Sequence, residues 1–161
     1  MTPASCYLLF MTGGRHLAFP LAAVERVLRA ARLSPVPDGP KTLLGMLNLG
    51  GEIIPVLDLP SEPQVVERKV HVHDRIILLC CSHGRVGLLA EQVQGVVEFS
   101  QDQIRKAENI LPETGNGLFG FAAMDACSVL IYEPEQLLSL PDHMPVDAPG
   151  KKKAAGGYES G

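Results

Sequence analysis

The fold is decided by the stretch from Leu43 to Leu59, which reads LLGMLNLGGEIIPVLDL. Two short apolar runs flank Gly50 and Gly51, and the Ile and Val residues of the second run favour strands over a helix. Paired glycines adopt positive φ without steric cost, as a tight hairpin turn requires. The stretch therefore predicts a β-hairpin. Pro55 cannot donate a ladder hydrogen bond, so its strand is predicted to lie at an edge or to turn its nitrogen outward.

The composition of the whole chain agrees with many short strands. The chain has 161 residues, of which 46% are hydrophobic, with 13 prolines, 16 glycines and no tryptophan. Frequent turn residues favour an all-β fold over long helices. The net charge is only −4, which argues against a nucleic-acid binder with a broad basic face.

The apolar segments are too short to cross a membrane, because none reaches eighteen residues. The start, Met1 to Cys6, has neither a basic leader nor a hydrophobic signal core. We therefore expect a cytoplasmic protein without direct membrane insertion. Cys6, Cys80, Cys81 and Cys127 lie in apolar runs without C-x-x-C spacing, which predicts buried free thiols.

Motifs for enzyme chemistry fail on their context. The glycines at 115, 117 and 120 match a dinucleotide fingerprint in letters, but a polar segment precedes them and a strand follows. His71 and His73 could share a strand face, yet no third metal ligand is evident, so solvated histidines are expected. There is no Gly-x-Ser-x-Gly elbow. The sequence predicts no catalytic, cofactor or metal site.

The chain contains two similar stretches about 70 residues apart, which indicates an internal duplication. Residues 8–15 align with residues 78–85, Val24 and Val27 align with Val93 and Val96 after one deletion, and Gly45 aligns with Gly120. Two small β-units follow from this pattern. Within the first unit, Ala22 to Ala31 fits either a short helix or a strand with a bulge.

A longer pattern resembles the chemotaxis coupling-protein family, also called CheW-like, over about residues 5 to 140. It reads Gly45-x-x-Asn48-x-x-Gly51-x-x-x-Pro55-Val56-x-Asp58-Leu59, with Leu33-x-x-Val36-Pro37 before it and Gly87-Leu88-Leu89 and Val93-x-x-Val96 after it. The resemblance implies two small SH3-like β-barrel subdomains packed side by side, and Glu133 to Leu138 predicts a short closing helix. We assign residues 5–60 and 130–140 to the first barrel, 74–130 to the second, 61–73 to a connection and 141–161 to a disordered tail.

The resemblance also implies a function. Family members are non-catalytic adaptors that bind the regulatory domain of a chemotaxis-type histidine kinase and the cytoplasmic hairpin tip of chemoreceptors. A divergent coupling protein of a non-flagellar chemosensory pathway, with altered receptor binding, is one alternative. A small-ligand sensor or enzyme on the same fold is another, although the chain offers no convergent set of polar groups for it.

Two positions depart from the commoner family pattern. Many members have Asn-x-Arg-Gly where this chain has Asn48-Leu49-Gly50-Gly51, and many have Val-x-Glu-Val where it has Val24-Glu25-Arg26-Val27. The first change removes a guanidinium able to make bidentate bonds, and the second reverses the sign of a carboxylate. The predicted partner-binding residues are Val24, Arg26, Val27, Asn48, Gly50, Gly51, Val93 and Val96, with the valines lining a groove between the two units.

Overall fold

The protein consists mostly of strands arranged in two sheets, as predicted. A computed structural model describes residues 4–39, 42–59, 70–82, 84–110 and 117–138. The strands within those ranges are β1 (Ala4–Thr12), β2 (Arg15–Pro20), β3 (Val24–Arg29), β4 (Leu43–Leu49), β5 (Glu52–Leu57), β6 (Arg75–Cys81), β7 (Gly84–Ala90), β8 (Gln92–Ser100), β9 (Ile104–Lys106), β10 (Leu118–Met124) and β11 (Cys127–Tyr132). Two short helices, α1 (Ala107–Ile110) and α2 (Pro134–Leu138), accompany them, and α2 confirms the predicted closing helix.

Each sheet bends round so that its edges are covered. One sheet has the order β8-β1-β2-β11-β10-β9 and the other has the order β3-β6-β7-β5-β4. In the first, β8 continues through a 3-10 turn into β9, which pairs with β10 on the far side. In the second, the chain leaving β3 returns at Ser34 to bridge Met46 of β4. We call the first sheet barrel one and the second barrel two.

The division of the chain between the barrels differs from the predicted boundaries. Residues 5–60 do not form one barrel, because β3 pairs with β6 and β5 pairs with β7. Similarly, β8 pairs with β1, so residues 74–130 are shared between both barrels. The assignment of β1, β2 and the residues near 130 to the first barrel agrees, since β2 pairs with both β1 and β11. The assignment of β6 and β7 to the second barrel also agrees. Because β1 and β6 have similar sequences, the pattern of β3 suits either of them as a partner, and sequence alone cannot choose.

The strand registers repeat, which supports the duplication. Leu8 lies opposite Val96 and Ile77 lies opposite Val27, so the equivalent positions are 69 residues apart. The predicted spacing of 70 for residues 8–15 was therefore one residue too long, whereas the predicted alignment of Val24 and Val27 with Val93 and Val96 is confirmed. The second hairpin repeats at a spacing of 75, with β4–β5 equivalent to β10–β11.

The repeat extends to packing detail at its glycines. A Cβ on Gly45 would lie 2.8 Å from the carbonyl oxygen of Ser34, and one on Gly120 would lie 2.6 Å from that of Arg105. Glycine is thus required at both points where a barrel closes on itself.

Three apolar clusters form the core. The first lies between the barrels and takes Leu8, Phe10 and Phe19 from one and Ile77, Leu79 and Leu88 from the other. The second and third fill barrel one and barrel two respectively. Alternate residues of β1 and β6 thus enter different clusters, so both faces are buried. This explains why these strands read as unbroken apolar runs.

Several smaller predictions can now be compared with the structure. Ala22 to Ala31 takes the strand alternative, with a 3-10 turn at Leu21–Ala23 leading into a bulged β3. The edge position predicted for the strand of Pro55 is wrong, because β5 lies between β7 and β4. The parallel ladder with β7 begins only at Val56, after the proline.

The four cysteines are free, but their predicted burial is wrong: Cys6 and Cys80 are exposed, and Cys81 and Cys127 are only partly buried. The cysteines are exposed or partly exposed because they lie towards the ends of their strands, where the strands extend beyond the apolar core. The tail at 141–161, the glycine at 115 and most of the connection at 61–73 lie outside the described residues.

Candidate partner-binding surface

The turn between β4 and β5 is held by its own side chain. Gly50 and Gly51 have φ of 61° and 96°, and the amide of Gly51 donates to Oδ1 of Asn48 over 2.9 Å. Asn48 and both glycines are exposed. A Cβ on Gly50 would meet nothing within 4 Å. The asparagine therefore shapes the turn, and the space around position 50 is open to a partner.

The four predicted valines lie on two edge strands and share one orientation. Opposite residues of paired strands project from the same face of a sheet. Val24 and Val27 of β3 lie opposite Leu79 and Ile77, and Val93 and Val96 of β8 lie opposite Phe10 and Leu8. All four partners belong to the cluster between the barrels.

Exposure separates the valines into two kinds. Val24 and Val93 pack against the cluster between the barrels, whereas Val27 and Val96 are 37% and 55% exposed. Burying the exposed pair would remove apolar surface from water. The inner valines are core residues, and the outer valines are available to a partner. The two pairs belong to different sheets, so the structure does not place them on one continuous strand edge.

A β-bulge opens each edge strand and presents one extra residue. In β3 the extra residue is Glu25, between the pairs Val24–Leu79 and Arg26–Leu78. In β8 it is Gln94, at the equivalent point. Bulges of this kind re-aim a side chain. Glu25 contacts Arg85 near the start of β7, and Gln94 contacts His16 near the start of β2. The two contacts differ in chemistry.

In barrel two the contact is ionic. Arg85 of β7 donates from Nε to Oε1 of Glu25 over 3.0 Å and from Nη2 to Oε2 over 2.7 Å. Its Nη1 donates to Oε1 of Glu52, the first residue after the β4–β5 turn. Cys80 donates its thiol to Oε1 of Glu25 over 3.2 Å. Arg85 thus ties the bulge of β3 to the turn that carries Gly50.

In barrel one the equivalent contact joins a histidine ring to a glutamine amide. His16 lies 69 residues before Arg85, and its Nδ1 is 3.1 Å from Oε1 of Gln94. Since barrel one forms with this pair, the fold requires a polar contact at the bulge but not an arginine–glutamate ion pair. The ionic cluster of Glu25, Arg85 and Glu52 is therefore a specific feature of barrel two.

The charges of this cluster shift its protonation equilibria. Hydrogen bonds from Arg85, and then from Cys80, hold the pKa of Glu25 below its ordinary value. The bonds to Glu25 and then Glu52 raise the pKa of Arg85, and the bond to Glu25 raises that of the Cys80 thiol. A protonated thiol is a poor nucleophile and metal ligand. The cluster therefore presents fixed charges and not a reactive group.

Sequence reasoning missed this cluster, although it named the neighbouring Arg26 and Gly50. Its three members are scattered over positions 25, 52 and 85. The available signal was the duplication, which aligns Glu25 and Arg85 of barrel two with Gln94 and His16 of barrel one.

A second polar contact fixes the barrels relative to each other. Glu135 of α2, which follows barrel one, accepts bonds from the amide and hydroxyl of Ser82 over 2.6 and 2.8 Å. Ser82 lies in the β6–β7 turn of barrel two. Beside it, burial raises the pKa of the Cys81 thiol to about 12. The candidate surface therefore belongs to a joined pair of barrels.

Other chemistries find no support in the part of the chain that the structure describes. It contains no group of three or more His, Cys, Asp or Glu side chains able to hold a metal ion. His71 and His73 are exposed. No helix among the described residues is both long and apolar enough to span a bilayer.

Comparison with known proteins identifies the family. Residues 6–142 match the family model described as a CheW-like domain. The chain belongs to the CheW-like domain family.

Relatives of this CheW-like chain include chemotaxis proteins CheW from Bacillus subtilis, at 24% identity over 100 residues, and from Klebsiella aerogenes, at 23% over 144 residues. These alignments cover 62% and 88% of this chain, and 64% and 86% of the relatives. The chain thus spans just under two thirds of the Bacillus protein. A protein named FrzA from Myxococcus xanthus is 30% identical over 94 residues, 58% of this chain and 59% of that protein.

The fold agrees with a solved member of the family. The crystal structure of the scaffolding protein TtCheW from Thermoanaerobacter tengcongensis superposes with a TM-score of 0.74 at 20% identity. The match covers 88% of this chain and 92% of that one. Two small β-subdomains are therefore the family's architecture and this chain's.

Proposed function

We propose that the chain is a non-catalytic adaptor of a bacterial chemosensory array. It couples the cytoplasmic hairpin tip of chemoreceptors to the regulatory domain of a chemotaxis-type histidine kinase, and it acts in the cytoplasm. The observation that carries this proposal is the family match over residues 6–142. The names of the relatives, chemotaxis protein CheW and scaffolding protein, support the same role.

The binding surface proposed for the partners consists of the outer valines and the ionic corner of barrel two. Val27 and Val96 supply exposed apolar contacts, and Arg26 and the β4–β5 turn supply polar ones. Reversible protein interfaces combine a modest apolar centre with a polar rim. Val24 and Val93 support this surface from the core, and Asn48 holds the shape of the turn.

Arg85 offsets the first departure from the family pattern. Position 50 has lost its guanidinium, but Arg85 brings one to Glu52, two residues away, and pairs it with Glu25 on the neighbouring strand. A bidentate guanidinium holds its carboxylate in one plane and so fixes the geometry of the corner. We infer that the corner is organised by Arg85 in this chain.

Calorimetric titration tests the proposal. The full chain is titrated with the kinase regulatory domain from its own genome and, separately, with a receptor hairpin fragment from the same genome. We expect saturable binding to both. Binding to the kinase domain alone would limit the function to kinase scaffolding, and binding to neither would refute the adaptor role.

A further inference from the structure

The exposed face of β3 carries an arrangement of like charges that the fold does not require. Arg29 of β3 lies directly opposite Arg75 of β6 in the antiparallel register. Like charges at directly opposite positions destabilise a sheet. Within the described parts of the chain, no carboxylate lies within ion-pair distance of Arg29. Arg75 directs its Nη1 to the backbone carbonyls of His73 and Asp74.

The internal duplication provides the control. The positions of barrel one equivalent to Arg29 and Arg75 are Glu98 and Cys6, which also lie opposite each other. Barrel one therefore forms the same pair of strands without either arginine. Arg75 serves the turn before β6 through its backbone contacts, but Arg29 meets a like charge that its equivalent in barrel one does not meet. Such a cost is typical of a binding site.

The surface around the arginines combines an apolar and a basic part. Val27 projects from the same face as Arg29 and is 37% exposed. Beyond the end of β3, an open depression has a lining that includes Ala30, Arg32, Leu33, Val70 and His71. Arg32 therefore adds a third guanidinium beyond the end of β3, beside a depression whose lining is both polar and apolar.

We propose that this edge binds an acidic amphipathic helix of the receptor hairpin, whose carboxylate bridges Arg29 and Arg75 while an apolar side chain covers Val27. The inference rests on the proposed adaptor function and names the partner's chemistry. One carboxylate has two oxygens, so it can accept from two guanidiniums and turn their repulsion into attraction.

The spacing on the partner follows from the strand. Val27 and Arg29 are two residues apart, about 6.6 Å along an extended strand. Residues four apart on a helix are separated by about 6 Å along its axis. The helix should therefore carry an apolar residue and an acidic residue at positions i and i+4.

The test is a titration of full-length variants with the receptor hairpin fragment and with the kinase regulatory domain. R29E should weaken receptor binding at least about tenfold and leave kinase binding unchanged, because it sets a carboxylate against the partner's carboxylate. The matched control is R105E, on the exposed β9 of barrel one. Because R29E also places a carboxylate opposite Arg75, its Tm should equal or exceed that of the wild type, which separates lost binding from lost folding.

A charge-swap experiment makes the test specific. Each acidic residue of the receptor fragment is changed singly to arginine, and one such change should restore binding to R29E. Equal receptor binding by R29E and the wild type would overturn this inference while the adaptor function stands. If the wild type binds neither partner, the adaptor function itself fails. Self-association that R29E abolishes, with receptor binding intact, would assign the edge to a second copy and overturn the inference.

Discussion

The cluster between the barrels should make them one cooperative folding unit, and a pair of adjacent leucines tests this. Leu79 is fully buried between the barrels, and Leu78 is fully buried inside barrel two. They are neighbours on β6 with opposite orientation. Leu79→Ala and Leu78→Ala therefore remove the same atoms from two different cores, and each serves as the control of the other.

The expected magnitude follows from the burial. Leu→Ala removes three carbon groups at about 0.8 kcal/mol each, roughly 2.4 kcal/mol of transfer free energy. The remaining cavity adds about 1 kcal/mol or more, so each variant should lose about 3 to 4 kcal/mol of unfolding free energy. For a folded part of roughly 130 residues, the unfolding entropy is about 0.27 kcal/mol/K, and Tm should fall by about 11 to 15 °C.

Calorimetry and amide hydrogen exchange provide the measurements. We expect one unfolding transition in the wild type and in both variants, with equal calorimetric and van't Hoff enthalpies. Leu78→Ala should reduce the exchange protection of β1 and β2 in barrel one, although Leu78 lies outside that barrel. Two separable transitions, or wild-type protection of barrel one in Leu78→Ala, would refute a shared cooperative core.

Three further predictions concern single positions. Gly120→Ala should cost about 1 to 3 kcal/mol of unfolding free energy in denaturant titration, because its Cβ meets the backbone oxygen of Arg105. Gly50→Asn should cost less than about 1 kcal/mol in the same assay, since its surroundings are open and Asn tolerates positive φ. Arg85→Gln should raise the pKa of Glu25 towards its ordinary value, which NMR titration measures. Because the pair lowers the pKa of Glu25 in the folded state, its stabilisation is present above the carboxyl pKa of the unfolded state. That stabilisation is lost as the pH falls through the folded pKa.

The strands and the duplication could be predicted because apolar runs and glycine turns are local signals. The hairpin from Leu43 to Leu59 follows from its own residues, whereas the residues of β3 left a helix and a bulged strand both open. The exchange of β3 and β8 between barrels could not be predicted. β3 pairs with β6 and β8 pairs with β1, but β1 and β6 are similar in sequence, so either could accept either strand. The actual pairing depends on where the chain crosses from one barrel to the other, at Leu21–Ala23 and at Glu91.

The site was predictable in part for the same reason. The valine pattern marks edge strands, but only the register distinguishes Val27, which is exposed, from Val24, which packs against the core. The ionic corner joins three residues far apart in sequence, and a charge on an exposed strand carries no pattern that reveals its partner. Long-range polar contacts of this kind require the fold before they can be seen.

The duplication distinguishes residues that the shared fold requires from residues that it does not require. Equivalent positions of the two barrels share the same backbone register, so a residue type that both barrels retain is what the fold requires. The closing glycines and the inner valines meet that condition. Arg85 and Arg29 do not, because barrel one has His16 and Glu98 in their places. The backbone that the two repeats share thus does not require the charges of barrel two, and this supports the proposal that the ionic corner belongs to the partner-binding surface.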